Sequence, residues 1–164
     1  MLFYCLISTT IWAQPKIYDP TRTEYFDYEG KEWQESKIKL PKYPKRGNLL
    51  EFSLDTPVAA SYKFYLDSKS LSLGKDGVSR YTLVIESGTA RNILYDGIRC
   101  TTAQYKNYAF GSGGAWQSAG SGLWSGIGDK SVLGARLYLF RNVVCDELHK
   151  SRKPKHIIRI LRYN

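Results

Sequence analysis

VSRYTLVIESGTARNILYDGIRCT, residues 78–101, is the stretch that decides the fold. Its first half alternates between two sets of side chains, which is the period of a β-strand. One set comprises Tyr81, Leu83 and Ile85, and the other comprises Arg80, Thr82 and Val84. Ser87-Gly88-Thr89 then turns the chain, and residues 90–101 predict a second long strand with a β-bulge at Asp96-Gly97. The stretch therefore predicts an antiparallel hairpin.

Further strand-like runs flank this hairpin on both sides. They are residues 49–54, 62–66, 68–73, 104–110 and 115–118. Gly74-Lys75-Asp76-Gly77 gives a strong turn signal before the hairpin. Because short connections without helices join these runs, consecutive strands should pair antiparallel. We predict a sheet of about five to six strands.

The C-terminal part of the chain carries helical patterns. Asp129 or Ser131 can cap a first helix, and apolar residues at helical spacing follow. These are Leu133, Leu137, Phe140 and Val144. Pro154 suits the first turn of a second helix, with three apolar residues toward the core and two arginines outward. The apolar residues are Ile157, Ile158 and Leu161, and the arginines are Arg159 and Arg162. One or two helices packed on the antiparallel sheet make an α+β domain.

The N-terminal part divides into two segments. Residues 1–13 are apolar and uncharged, which is typical of a secretory signal cleaved after Ala13; a buried strand is the alternative. This run is too short to span a bilayer, so we expect no transmembrane span in the mature chain. Residues 14–48 predict an irregular polar arm with a short helix near residues 28–36, and Trp33 and residues 38–41 could pack on the domain. The single α+β domain is assigned to residues 49–164.

Cysteine usage agrees with export. Cys5 lies in the signal-like segment, so Cys100 and Cys145 remain as one pair in the mature chain. Two cysteines in an oxidising compartment usually form a disulfide, and two buried thiols are the alternative. We expect a periplasmic or otherwise exported, disulfide-bonded protein.

Positive charge is the strongest compositional bias. The net charge is +9 and the sequence pI is about 9.4, which favours anionic partners. A second basic stretch, at residues 37–46, lies in the N-terminal arm. The predicted binding patch is the acid-free C-terminal run of Lys150, Arg152, Lys153, Lys155, Arg159 and Arg162. A solvated, non-binding face is the alternative interpretation.

Aromatic residues are also abundant, with 13 Tyr, 6 Phe and 4 Trp. Tyr and Trp suit binding surfaces as well as half-buried sheet faces. The candidate aromatic surface comprises Tyr105, Tyr108, Trp116 and Trp124. Packing within the sheet is the alternative interpretation.

No catalytic signature is readable from the residues. His149 and His156 are separated by Pro154, which argues against one continuous helix face, and no metal-ligand cluster accompanies them. Neither a Gly-x-Ser-x-Gly elbow nor a phosphate-binding loop with its lysine is present. Asp67, Asp76 and Asp96 could gather around calcium, but Asp-Gly more simply marks turns. We predict no catalytic residue, no metal and no cofactor.

Taken in order, these segments resemble the cryptic neisserial protein one-like family, an uncharacterised domain of exported bacterial proteins. The matching blocks are residues 64–67, 70–71, 76–84, 90–92, 95–100 and 105–111, then Trp116, Trp124, Leu137-Tyr138 and Cys145. The resemblance spans roughly residues 49–162. It implies export and identifies Cys100 and Cys145 as the family's cysteine pair, and it implies no activity.

The functional expectation is an exported, non-enzymatic binding module. Its expected partner is an anionic envelope component or another envelope protein. An envelope enzyme with scattered site residues is one alternative, and a nucleic-acid or polyanion binder with an aromatic stacking surface is another. Export argues against intracellular nucleic acid as the partner.

Overall fold

The structure is a computed structural model and describes residues 32–128 and 132–163. Residues from Gln34 onward form one compact unit, and Glu32 and Trp33 belong to a separate one. The signal-like residues 1–13 and the predicted caps Asp129 and Ser131 lie outside the described residues.

One antiparallel sheet organises the compact unit. Its described strands are β1 (Leu49–Phe52), β2 (Lys63–Asp67), β3 (Ser72–Leu73), β4 (Val78–Ser87), β5 (Ala90–Arg99), β6 (Gln104–Ser112), β7 (Ala115–Ser118) and β8 (Ser125–Gly126). Their order is β1-β2-β4-β5-β6-β7, while β3 pairs with β4 and β8 pairs with β6. The α+β prediction is confirmed, and the two-residue strands β3 and β8 raise the strand number above the expected five to six.

The central hairpin has the predicted register. Strands β4 and β5 pair from Val78 with Arg99 to Ser87 with Ala90. The expected bulge is present, but its extra residue lies on β6: Tyr95 pairs with Ala109 and Asp96 with Asn107, which leaves Tyr108 unpaired between them. As a result, both Tyr108 and its neighbour Ala109 join Tyr95 on the same face.

The strand predicted at residues 68–73 is shorter in the structure. Residues 67–70 form a turn, in which Ser70 N–H donates to Asp67 O at 3.1 Å and Lys69 N–H donates to Asp67 Oδ1 at 3.1 Å. Aspartate commonly makes such turns because its side chain reaches the N–H two residues on. Only Ser72 and Leu73 are left to pair with β4.

The first helix starts later than predicted and changes its pitch. Helix α1 comprises Ala135–Tyr138 and continues as a π-helix, Leu139–Val144. Leu133 precedes it with φ +58° and stays half-buried. Of the four predicted apolar positions, Phe140 and Val144 are buried and Leu133 packs against the core, whereas Leu137 is half-buried outside the core cluster. The buried apolar residues are Ala135, Leu139, Phe140, Val143 and Val144.

Helix α2, Pro154–Tyr163, starts at the predicted proline. Ile157 is buried, and Ile160 and Leu161 pack against the core, so Ile160 takes the role predicted for Ile158. These helices cover one face of the sheet. The largest fully buried side chains of this core include Phe64, Leu66, Tyr81, Leu83, Ile98, Leu139 and Ile157.

Residues 34–45, called the arm below, contain no helix or strand. Nor is any described residue of the predicted helix at residues 28–36 helical. The arm contacts the sheet face opposite the helices, where Trp116 Nε1 donates to Pro41 O at 2.8 Å and the Trp116 ring packs on Tyr43. Ile38 and Leu40, predicted to pack on the domain, are 37% and 42% exposed.

Candidate functional site

The predicted disulfide is present and anchors the basic C-terminal region. Cys100 begins a 3-10 turn after β5, and Cys145 follows the π-helix. Their Cα atoms are 5.6 Å apart, and both side chains are 2% exposed. The bond therefore ties the end of the central hairpin to the start of the C-terminal region.

Residues 145–151, called the disulfide loop, form a tight turn at this anchor. Cys145 and Ser151 make an antiparallel bridge. Inside the loop, the Asp146 carboxylate accepts hydrogen bonds from the N–H groups of Leu148 (3.0 Å) and Lys150 (2.8 Å). Ser151 Oγ donates to Gly77 O at 2.7 Å. The loop is thus fixed on one side by the disulfide and on the other by the β3–β4 turn.

Arg152 stabilises the end of the π-helix. Its guanidinium donates to the carbonyls of Val143 and Cys145, and its own N–H donates to Val144 O at 2.8 Å. These carbonyls have no helical partner because the helix ends there. Of the six basic residues predicted as a patch, Arg152 is therefore bound to the backbone, whereas the other five have exposed side chains.

The five exposed residues, called the cationic surface below, extend from the disulfide loop along α2. They are Lys150, Lys153, Lys155, Arg159 and Arg162. Lys155, Arg159 and Arg162 share the outer face of α2, because they are spaced four and then three residues apart. Within the described part of the chain, no carboxylate forms an ion pair with any of these five.

Nothing in the first turn of α2 offsets its charge. This turn contains no acidic residue and includes Lys155 and His156. The N-terminus of a helix carries a partial positive charge that acidic side chains usually balance. Arg159 Nη2 donates to His156 Nε2 at 2.6 Å, so this histidine does not offset the charge either. The first turn of α2 therefore contains no described carboxylate that offsets the positive charge of this surface.

A small cleft, called the disulfide cleft, lies between the disulfide loop and the sheet. Its volume is about 220 Å³. The polar side chains in its wall are Lys75, Thr101, His149, Lys150 and Ser151. They come from the β3–β4 turn, the 3-10 turn and the disulfide loop. His149 has φ +54°, in the left-handed region that side chains other than glycine rarely adopt.

The structure distributes the predicted aromatic residues over two faces of the sheet. The Tyr105 ring lies on the helix-covered face, 4.0 Å below the guanidinium of Arg136. Tyr108 and Trp116 lie on the arm-covered face, where both contact Tyr95. Trp124 is half-buried before β8. These four residues therefore do not form one exposed platform.

Charged residues on the arm-covered face form a group that the sequence did not reveal. This paired cluster comprises Glu35, Asp76, Arg80, Lys106 and Tyr108. Arg80 is 5% exposed and makes two hydrogen bonds to the Asp76 carboxylate. Glu35 accepts 2.8 Å hydrogen bonds from Lys106 Nζ and from the Tyr108 hydroxyl. The cations of this face are thus neutralised within the fold.

The surroundings of the paired cluster shift the pKa values of Asp76 and Tyr108. Burial opposes ionisation of Asp76, but hydrogen bonds from Arg80 and from the N–H groups of Ser36 and Val78 outweigh it and lower the Asp76 pKa below 3.8. Burial, together with the hydrogen bond to Glu35, raises the Tyr108 pKa above its ordinary value. Asp76 therefore stays charged and Tyr108 stays neutral at physiological pH.

A second ion pair lies in the core on the opposite face. Arg136 donates to Asp96 with its Nε at 2.8 Å, and Asn107 Nδ2 donates to the same carboxylate at 2.7 Å. Asp76 and Asp96 are thus bound to different arginines on different faces, and Asp67 is a turn residue whose pKa is raised by burial. No three His, Cys, Asp or Glu residues in the described ranges are arranged to hold a metal ion.

An apolar groove of about 670 Å³ lies between α1 and the loop after β1. Leu54, Leu133, Leu137 and Tyr138 contribute to its wall. Its rim carries both Asp55 and Arg141, so charge does not select one type of ligand there. Over residues 32–128 and 132–163, no helix is long and apolar enough to cross a membrane.

Comparison with known proteins gives one family. The model of the CNP1-like family matches residues 28–162. Neither the curated proteins nor the solved structures include a significant match to this chain.

Proposed function

The chain belongs to the CNP1-like family, and from this premise we propose that it is an exported, non-enzymatic envelope module that binds an anionic component of the cell envelope through its cationic surface. The observation that carries this proposal is the contrast in pairing. Buried Arg80 forms ion pairs with two acidic residues, whereas none of the five residues of the cationic surface forms an ion pair with a described carboxylate. Cations left unpaired in this way attract anionic partners.

Two observations support the exported location. The Cys100–Cys145 disulfide fits an oxidising compartment, where such bonds form and persist. Residues 1–13 have the apolar, uncharged composition of a secretory signal. N-terminal sequencing of the natively expressed protein tests this part. We expect a mature chain starting at Gln14, and a soluble protein that retains Met1 would contradict it.

Co-sedimentation with isolated cell envelopes tests the binding. The binding variant replaces Lys155, Arg159 and Arg162 by Gln, which removes three charges from the outer face of α2. The matched control replaces Lys37, Lys39 and Lys42 by Gln, three exposed lysines of the arm. We expect the binding variant to leave the envelope fraction and the control to stay in it. Equal retention of both variants would overturn the proposal.

A polyanion such as a nucleic acid is the second binding class that the charge allows. The separation of the aromatic residues onto two faces argues against it, since single strands usually bind by stacking their bases on exposed aromatic rings. Tyr108 is 8% exposed and is hydrogen-bonded to Glu35. The anionic envelope component is therefore the better-supported partner.

A further inference from the structure

The disulfide cleft differs from the rest of the cationic surface because it is concave. Three chain segments enclose it, and the disulfide and the hydrogen bond from Ser151 to Gly77 hold these segments together. Its volume of about 220 Å³ is below the range of about 300–1,000 Å³ typical of pockets for drug-sized ligands. A water molecule occupies about 30 Å³ in the liquid, so the cleft has room for a small polyatomic ion with a few further atoms.

The charged side chains in the wall of the cleft include two lysines, Lys75 and Lys150, and no carboxylate. Three acidic residues lie nearby in sequence. Glu147 is exposed and does not line the cleft, and the two aspartates are bound to other groups. Asp76 is paired with Arg80, and Asp146 accepts hydrogen bonds from the N–H groups of the disulfide loop. The two ammonium groups are therefore available to a ligand.

We propose that the disulfide cleft binds the phosphate group of a phosphomonoester. A phosphomonoester carries about −1.5 to −2 charges at neutral pH, which matches two lysines, whereas a carboxylate or a phosphodiester carries one. The hydroxyl of Thr101 and the ring of His149 supply further hydrogen-bonding groups in the wall. This inference rests on the proposed function, because Lys150 belongs to both the cleft and the cationic surface, and it names the chemistry that the surface selects.

Titration of the purified mature protein with glycerol phosphate tests the cleft. Calorimetry would give the affinity, and the amide NMR signals of Gly74 and Gly77 would report whether the ligand enters the cleft. Lys75→Gln removes a charge from the wall, and Lys37→Gln removes the same charge from the arm, outside both the cleft and the cationic surface. We expect Lys75→Gln to weaken binding about tenfold, the loss expected for one charge-assisted hydrogen bond, and Lys37→Gln to change it less than twofold. Both lysines are exposed, and circular dichroism would verify that both variants fold.

A second titration distinguishes a free phosphomonoester from a lipid headgroup. It uses vesicles that contain phosphatidic acid, with phosphatidylcholine vesicles as the neutral control. If Lys75→Gln weakens binding more than the control variant does, the result supports the cleft as the site. The ligand for which this difference appears is then the source of the phosphate. Equal weakening by both variants, or the absence of saturable binding to both ligands at millimolar phosphate, would overturn it. The proposed function fails separately, if the Lys155, Arg159 and Arg162 variant stays on the envelopes.

Discussion

Arg80 and Arg159 differ in burial and in ion pairing. Arg80 is 5% exposed beneath the arm, paired with Asp76 and 4.0 Å from Glu35. Arg159 is exposed on the outer face of α2, and its recorded polar contact is His156. The net charge of +9 does not distinguish the paired cluster from the cationic surface, because it counts buried and exposed cations alike. The cations of the paired cluster are held by carboxylates of the fold, while those of the cationic surface form no ion pair with a described carboxylate.

Removing an acid from the paired cluster should have the largest effect on stability. Asp76→Ala leaves Arg80 buried without its main partner, and breaking a buried pair in this way costs about 3–5 kcal/mol. The control is Glu86→Ala, because Glu86 pairs with Arg46 and Arg91, whose side chains are 84% and 37% exposed, and each such surface pair contributes at most about 1 kcal/mol. Denaturant unfolding measures both variants. Equal losses would contradict the distinction between paired and exposed cations.

Removing the disulfide should be the next largest effect. The bond closes a loop with a sequence separation of 45 residues, and native disulfides of this kind typically contribute about 2–4 kcal/mol. We expect the double variant Cys100→Ser, Cys145→Ser to lose that amount in denaturant unfolding. Wild-type protein unfolded in reductant should lose a similar amount. An unchanged midpoint in both experiments would show that the bond does not constrain the unfolded chain.

Arg152 and Lys153 are neighbours that should respond differently to the same substitution. Arg152→Gln removes the hydrogen bonds to the Val143 and Cys145 carbonyls, with an expected loss of about 1–2 kcal/mol. Lys153 is exposed and outside any recorded ion pair, so Lys153→Gln should change stability by less than about 0.5 kcal/mol. Thermal unfolding of both variants measures the difference. An equally large loss of stability in Lys153→Gln would show that Lys153 also stabilises the fold.

Acid should weaken the paired cluster through Asp76. Its folded-state pKa lies below 3.8, so the stability it contributes is fully present above that value and is lost as the pH falls through the lower, folded-state pKa. Denaturant midpoints between about pH 5 and pH 1 should therefore fall more steeply for the wild type than for Asp76→Asn. The cationic surface has no described acidic partner to lose. Parallel curves for the two proteins would show that Asp76 does not carry this dependence.

The sequence predicted the strands because their pattern is local. The alternation at residues 78–86 and the Ser87-Gly88-Thr89 turn appear as β4 and the start of β5. The first helix was less predictable, because its α-helical part comprises only Ala135–Tyr138 and the chain continues as a π-helix. Leu137, which the helical spacing grouped with the buried residues, lines the apolar groove instead.

The basic residues could be found from the sequence, but their pairing could not. Arg152 and Lys153 are both basic residues of the same run. Arg152 donates to backbone carbonyls because the π-helix ends next to it, and this contact is not visible in the sequence. The hydrogen bond from Lys106 to Glu35 joins residues 71 positions apart. No local pattern indicates such a contact, because it depends on how the arm crosses the sheet.

The salt dependence of binding to isolated envelopes tests the central claim most directly. The three proteins compared are the wild type, the Lys155, Arg159 and Arg162 to Gln variant, and the Lys37, Lys39 and Lys42 to Gln control. Salt screens exposed charges, with a Debye length of about 8 Å at physiological ionic strength. We predict that the affinities of the wild type and the control fall together as salt rises, while the α2 variant binds weakly throughout and depends less on salt. Three parallel curves of equal affinity would contradict the claim that the cationic surface is the contact.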